Sequence, residues 1–371
     1  MAYIAAASTA FPAHYYSQEV LATTLKKYFV MGDLEFDLDV IDRFFTNVAI
    51  DGRFFMLPLD SFFDPPDVAT GIQATIEATV DLVEIAVRKL LDKARLSPDE
   101  ISQLTTTTLV AAVPSIDARL MNRIPFSPQL KRLPIGGVGC MGGAFGVARA
   151  ADYLRGHPQE AAVVVAAEPS SALWLGSLQR DLTAMVSRLP ENPGQYSDII
   201  MTIITAALFG DGAGAVLLVG DEHPLAQPGY AQVIDTVSMW LPNTVDLMGM
   251  ARVETGTRNI LRPEVGEYAR KGLRQAIDPL LAKHALTIEK IANWLVHPGG
   301  PKVINAVLEE FDLDDKTLQI SRETLAKVGN ISSPTVLYIL DQILATEPTN
   351  AYGLMMAMGP GFSQEVLLLK W

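Results

Sequence analysis

The chain holds one cysteine, Cys140, set in the run GGVGCMGGAFG. A strand is expected to lead into this run, and a helix of small residues (142–154) to lead out. That places the sulfur at a helix N-terminus, where the dipole and free backbone N–H groups favour a thiolate. Glycines on both sides leave room for a substrate to approach. A lone cysteine is more often a small core residue; the glycine setting is what marks Cys140 as a nucleophile. A nucleophilic thiol needs a base. Of the five histidines, His14, His157, His223 and His284 stand in loop-like or polar-helix contexts. His297 instead ends the apolar run WLV and opens PGGPKV, the kind of strand end where α/β sheets build their sites. Asn330, in VGNISSPTVLYIL, lies between a glycine and a helix cap, and taken alone reads equally as a left-handed turn residue.

Taken together, the three residues have a chemical logic. The imidazole takes the thiol proton, and the thiolate then accepts an acyl group from a thioester. The Asn amide and the His N–H donate to a thioester oxygen as it becomes an enolate, which is what decarboxylation of a malonyl thioester requires. The sequence contains no metal-ligand motif, phosphate loop or dinucleotide fingerprint, so neither a metal nor a cofactor is expected. Gly210-Asp211-Gly212 opens a strand rather than a helix, and so does not cradle phosphate.

The elements that must hold these residues alternate between helix and strand. Val68–Ala94 reads as an amphipathic helix, with Ile72, Ile76, Val80, Val83, Val87 and Leu90 on its core stripe and Leu82 and Ile85 outside it. Ser97-Pro98-Asp99-Glu100 caps a short helix. Strands are expected at 3–7, 103–110, 132–137, 161–167 and 213–219, the last two being apolar enough for complete burial. The second half adds helices at 263–282, 287–292, Pro301–Phe311 and 333–345, with strands at 294–296, 352–358 and 364–371. Such alternation implies sheets covered by helices on both faces. The endings FGDGAGAVLLVG and MGPGFSQEVLLLKW hint at an internal duplication, with the linker between halves at 220–232. Residues 175–197, containing RLPENPGQYS, read as irregular.

Of the 371 residues, 49% are hydrophobic and 19% charged, which points to a large core and subunit burial. No window reaches the ~18 uninterrupted apolar residues of a membrane span. A net charge of −13 without a Lys/Arg run excludes nucleic acid as a partner. The start, MAYIAAASTAFPAH, lacks the basic region of a secretory leader, and one cysteine fits a reducing compartment. A cytoplasmic protein is expected.

GVGCMGGAFG, ALFGDGAGAVLLVG, HPGGPKVI, GNISSPTVLYIL and MGPGFSQEV follow one another in this order along the chain. In these blocks the sequence resembles the chalcone and stilbene synthase superfamily, the type III polyketide synthases, over essentially its whole length. The resemblance implies a thiolase-like αβαβα layered fold of two similar halves, assembled as a homodimer. Residues 1–225 would carry the nucleophile and 226–371 the His and Asn. By position, Cys140 would hold the growing chain, and His297 with Asn330 would drive decarboxylation of malonyl-CoA. Phe209 matches the gatekeeping aromatic of the cavity, and Gly361 falls in the GPG block that borders it. Val113, with Pro114, falls on the loop that reaches the partner subunit. Arg43 stands where a CoA-phosphate-binding base is expected, although the neighbouring basic positions are Val40 and Asn47. Leu173, Trp174, Met250 and Asn259 occupy cavity positions that differ from the plant enzymes, so the likeness is to a bacterial-type member. The expected products are pyrones, resorcinols or phloroglucinols, built on a starter delivered by CoA or by an acyl carrier protein. A single-round ketoacyl synthase and a non-catalytic scaffold are the alternatives.

Overall fold

The computed structural model describes the chain apart from residues 65, 254, 255 and 263; it also leaves out the side chains of residues 173–180, 256 and 257. Leu173 and Trp174 therefore lie outside the described side chains.

Strand β1 (Ala2–Ala10) runs through the middle of the molecule. A ribbon of β2 (His14–Ser17) and β3 (Gly52–Phe55) brackets helices α1 (Gln18–Met31) and α2 (Asp39–Asn47). Helix α3 (Val68–Ala94) is capped by Asp67, whose carboxylate accepts from Ala69 and Thr70 N–H. It packs across β1 and the two central strands introduced below. That face is wider than a three-four stripe. Leu82 is therefore buried, against expectation, while Ile72 at the overhanging N-terminal end is 54% exposed. Ser97 and Glu100 form a reciprocal capping box around a single 3-10 turn, Pro98–Glu100.

Then come β4 (Gln103–Thr107), α4 (Ile116–Leu120), β5 (Lys131–Ile135), α5 (Gly142–Gly156) and β6 (Ala161–Pro169). β4 stops at Thr107, short of the expected 110, where its pairing with β5 and β6 runs out. The stretch expected to be irregular is mostly helical: α6 (Ser170–Ser187) and α7 (Tyr196–Leu208) flank a short break. Only Pro190 and Pro193, which cannot continue a helix, punctuate it. α7 delivers the chain to β7 (Asp211–Gly220), which is buried at every position, as is β6. Strands covered on both faces need no polar alternation.

The second half contains β8 (Ala231–Trp240), the ribbon β9 (Met248–Val253) and β10 (Gly256–Leu261), α8 (Val265–Lys283) and β11 (Ile291–Val296). The helix expected at 287–292 is instead one 3-10 turn, Ile288–Lys290, because Ile291 already pairs with Tyr352. α9 (Pro301–Phe311), α10 (Gln319–Val328), α11 (Thr335–Leu344), β12 (Tyr352–Gly359) and β13 (Ser363–Lys370) complete the chain.

Nine strands form one sheet in the order β11-β12-β13-β8-β1-β7-β6-β4-β5. Its pairing repeats. β4 runs parallel to β6, which is antiparallel to β7, which is antiparallel to β1. β11, β12, β13 and β8 follow the same scheme, and β1 meets β8 at Ala2–Ile4. The two Gly-turn-strand endings noted in the sequence become β7 and β13, which hold equivalent places. α5 and α11 lie against each other and the sheet, in a core that includes Ala144, Val147, Leu337 and Leu340. Among the described residues, no helix is long and apolar enough to cross a membrane.

Candidate active site

Cys140 lies in a 3-10 turn, Gly139–Met141, that winds directly into α5. Gly139 has φ +53°, and a Cβ there would lie 2.7 Å from Pro360 Cδ. A Cβ on Gly359 would run into the Val138 carbonyl. The β12–β13 turn thus props the cysteine loop from behind, with Gly361 (φ +87°) at its tip. The glycines after the cysteine do not open space for a substrate, as expected above. Instead they let the protein close on itself: Cβ atoms at Gly142, Gly143 and Gly146 would meet Ser333 or Val164. Without side chains on that face of α5, the start of α11 sits close to the thiol.

Asn330 arrives from the segment between α10 and α11. Its N–H donates to Leu208 O at 3.0 Å and its carbonyl accepts from Gly210 N–H at 3.0 Å, so its backbone bridges Phe209. Its Oδ1 accepts from Ser332 N–H at 2.8 Å. That bond commits the oxygen to the turn and leaves the NH2 to face outward. Nδ2 approaches Gly299 O at 3.5 Å.

His297 follows the last residue of β11, held by its N–H to Met356 O at 2.9 Å. Its residue is 4% exposed, and among the described residues neither ring nitrogen has a hydrogen-bond partner. A buried imidazole without partners requires an explanation, since such groups are nearly always satisfied. Gly299 is two residues further on, so Asn330 approaches the His297 turn. Phe209 adjoins Asn330 through the bridge, at the extended residue that ends α7.

Desolvation dominates the electrostatics. Cys140 keeps part of its surface accessible, yet its surroundings withdraw water from the sulfur and push the thiol up to about 11. Hydrogen bonds from Ser332 and Asn330 oppose that rise, and the charge of Glu168 adds to it. Burial pulls His297 down to about 4. Burial thus works against the thiolate that the helix N-terminus favours.

Two buried groups escaped the sequence reading. Glu168, 1% exposed near the end of β6, accepts from Leu109 N–H at 2.9 Å and from Ser333 Oγ at 2.7 Å. Desolvation raises its carboxyl to about 8. A carboxylate ending the apolar run VVVAAE offered the same strand-end signal that singled out His297. Arg53, fully buried on β3, donates from Nη1 to Phe209 O at 2.6 Å, beneath the residue that bridges Asn330. Burial lowers Arg53 to about 9 and raises Asp211, its buried counter-charge, to about 6. Asp211 in turn accepts from Met56 and Ser171 N–H at 2.6 Å each.

The sign of the Glu168 shift sets a testable outcome. A carboxyl whose folded pKa is raised contributes stability below about pH 4.5 that is lost as pH climbs through about 8. Glu168→Gln lacks that loss, so its melting temperature is expected to gain on the wild type between pH 5 and 9. Alkylation of Cys140 at pH 9 is expected to be several-fold faster in the variant, with the neighbouring charge gone. Parallel melting curves across this range would place Glu168 outside the buried site.

The other sequence candidates lie further out. Arg43 on α2 is exposed, 3.7 Å from Asp37, while Val40 is buried and Asn47 exposed. Val113 is 97% exposed at the head of the loop after β4. Met250 and Asn259 face one another across the β9–β10 ribbon, and Asn259 Nδ2 reaches Thr205 Oγ1 at 3.4 Å. Among the described residues, no group of three or more His, Cys, Asp or Glu is gathered as a metal site would need.

Comparison with known proteins agrees with this architecture. Residues 232–371 match the profile of chalcone and stilbene synthases, C-terminal domain, and residues 37–186 that of FAE1/Type III polyketide synthase-like protein. The chain is 33% identical to the 1,3,6,8-tetrahydroxynaphthalene synthase of Streptomyces peucetius subsp. caesius, over 99% of this chain and 93% of that one. Against Type III polyketide synthase B of Arabidopsis thaliana the identity is 24%, over 99% of this chain and 94% of that one. The crystal structure of 1,3,6,8-tetrahydroxynaphthalene synthase from Streptomyces coelicolor A3(2), a bacterial type III polyketide synthase, superposes with a TM-score of 0.84 at 22% identity. That match covers 100% of this chain and 99% of the other. The layered sheet is thus the thiolase-like fold, and identity is higher to the bacterial relative than to the plant one. The chain belongs to the type III polyketide synthases, decarboxylating condensing acyltransferases, as a bacterial-type member.

Proposed function

We propose that Cys140 takes an acyl starter from a thioester, extends it by decarboxylative condensation with malonyl-CoA, and releases a cyclised pyrone, resorcinol or phloroglucinol. The observation that carries this reading is His297, whose two buried ring nitrogens have no hydrogen-bond partner among the described residues, on a turn that the Asn330 amide approaches at Gly299 O. Charging the thiol or the imidazole alone is opposed by desolvation. Moving one proton from sulfur to nitrogen charges both at once, and their mutual attraction offsets part of the loss. The same dry setting strengthens N–H donors aimed at a developing enolate, which is the work assigned to His297 and Asn330.

Asn330→Ala is expected to slow malonyl-CoA decarboxylation by about 10²-fold while starter loading falls much less. Equal losses in both steps would count against the donor role.

Several wider assignments go with this reading. Residues 1–225 and 226–371 are taken as the two halves, supported by the repeated strand pairing. A homodimer is supported by apolar side chains left on the surface, Val113, Trp240 and Val245, which are 97%, 65% and 73% exposed. Arg43 is assigned to a CoA phosphate, for which it would exchange its exposed Asp37 partner. Phe209 and Gly361 are assigned to the cavity border, with Met250 and Asn259 on its wall. Leu173 and Trp174 are assigned there by sequence position. The cytoplasm is the compartment that suits a lone reactive thiol.

Intact-protein mass spectrometry tests the core of the reading. The enzyme is mixed with a panel of acyl-CoAs and acyl carrier proteins, then with malonyl-CoA. An adduct that maps to Cys140 and grows by two or more ketide units is the expected result. A single added unit would point to a one-round ketoacyl synthase, and no adduct from any donor would leave a scaffold.

A further inference from the structure

We infer that Arg258 is a positioning residue that fixes the β9–β10 ribbon against α6 and α7, and thereby sets which acyl chains the cavity accepts and how far they grow. The inference rests on the proposed function, in which Met250 and Asn259 of this ribbon line the cavity.

The ribbon is a separate two-stranded sheet of six-residue strands. A ribbon of that size is marginal alone, so its place depends on what anchors it. Two neighbouring residues of β10 supply anchors. Arg258 grips Asp181 of α6 with both arms of its guanidinium, Nε to Oδ2 at 2.6 Å and Nη2 to Oδ1 at 2.7 Å. Its third nitrogen, Nη1, donates to Asp198 Oδ2 at 3.0 Å, in the first turn of α7. The next residue, Asn259, reaches Thr205 further along the same helix at 3.4 Å. α7 is then held near its beginning and near its end.

The end matters most. The carbonyl of Thr205 accepts from Phe209 N–H at 3.2 Å, and Phe209 bridges Asn330. A shift of the ribbon is thus felt at the gate aromatic through one rigid helix. A forked, planar cation fixes both distance and direction, which a single ammonium does not. An exposed ion pair would contribute little, but the Asp181 side chain is only 5% exposed. Water competes weakly for that carboxylate, and the geometry holds.

Three enzymes test the inference: wild type, Arg258→Lys, and the double variant Arg258→Met/Asp181→Asn. The double variant removes the buried charge along with its cation, which protects the fold from a lone buried carboxylate. Circular dichroism and melting first establish that each variant is folded. Product lengths are then read by liquid chromatography–mass spectrometry. Starter kcat and KM are measured across acyl-CoAs of increasing length, together with malonyl-CoA decarboxylation. Both variants are expected to change the ratio between successive ketide products by about tenfold and to raise KM for the preferred starter. Decarboxylation is expected to stay within about twofold, because Asn330 is held independently of the ribbon, by Leu208 O and Gly210 N–H on its backbone and by Ser332 N–H on its side chain. An unchanged product ratio and starter preference in the folded double variant would overturn the inference. So would a uniform fall of every starter and of decarboxylation by one factor, which would make the clip a matter of stability only. A wild-type enzyme that forms no ketide product would bring down the proposed function itself, and this inference with it; a working wild type with unaltered variants would bring down this inference alone.

Discussion

Cys140→Ala is expected to abolish polyketide formation, by at least about 10³-fold, while the protein keeps its fold and assembly. The loss follows from chemistry: without sulfur there is no atom to carry the acyl chain between condensations. The fold survives because the thiol does little structural work. The segment beside it is held without the thiol, Asn330 by Ser332 N–H and Ser333 by Glu168. Removing one weak bond costs about 1 kcal/mol, and alanine suits the close packing behind the turn. A second readout separates the roles. Decarboxylation of malonyl-CoA is assigned to His297 and Asn330, so Cys140→Ala should retain it within about tenfold while losing every acyl adduct. The chain has only this cysteine, so any thiol-specific mass shift in the wild type maps to it without ambiguity. If the variant unfolds, or keeps forming product, Cys140 is structural and the nucleophile lies elsewhere.

How much of this was legible from the chain alone varies by physical cause. The three candidate residues stood out because each sits at a junction: Cys140 between glycines, His297 after an apolar run, Asn330 before a cap. Junctions of that kind have sequence signatures, and the Asn330 amide does approach the turn after His297, at Gly299 O. The buried strands β6 and β7 were equally plain, since unbroken apolar runs between turns have few other uses. What failed depended on long-range contacts. Composition suggested that glycines around Cys140 make room for a ligand, yet the room is taken by Ser333 and Val164 from elsewhere in the chain. α6 was missed because the prolines at 190 and 193 coloured a whole window in which most residues are helix formers. Leu82 falls outside a single stripe, but α3 meets three strands and so buries it. Glu168 carries a strand-end signal like that of His297 and Arg53 carries none, but the partners of both are hidden for a related reason. Nothing near either residue in sequence announces that Ser333 or the Phe209 carbonyl will be its partner.

His297→Gln is the variant in which activity and stability are expected to move in different directions. Both ring nitrogens are buried without a partner among the described residues, and burial holds the imidazole at about 4. At neutral pH the ring is therefore uncharged, one nitrogen able to accept the thiol proton and the other able to donate to a thioester oxygen. Glutamine keeps a donor of similar reach and loses the base. Starter loading is expected to fall by about 10²–10⁴-fold, the range for removing a positioned general base. Decarboxylation is expected to fall by roughly 10²-fold, because an amide placed by a looser side chain of similar reach is a poorer donor to the enolate. Stability carries the opposite sign. A histidine with a depressed folded pKa contributes stability above about pH 6.5 that disappears as pH falls through about 4. Glutamine does not titrate, so the variant should lose less of its melting temperature between pH 7 and pH 4 than the wild type loses. The two measurements are independent, one made with acyl-CoA and malonyl-CoA, the other with no substrate at all. Unchanged decarboxylation would remove His297 from the reacting centre, whereas an unchanged acid limb of stability would mean that the imidazole is open to water. If the acid limb flattens and decarboxylation collapses together, the burial that makes this histidine expensive to charge also accounts for its use as a neutral donor.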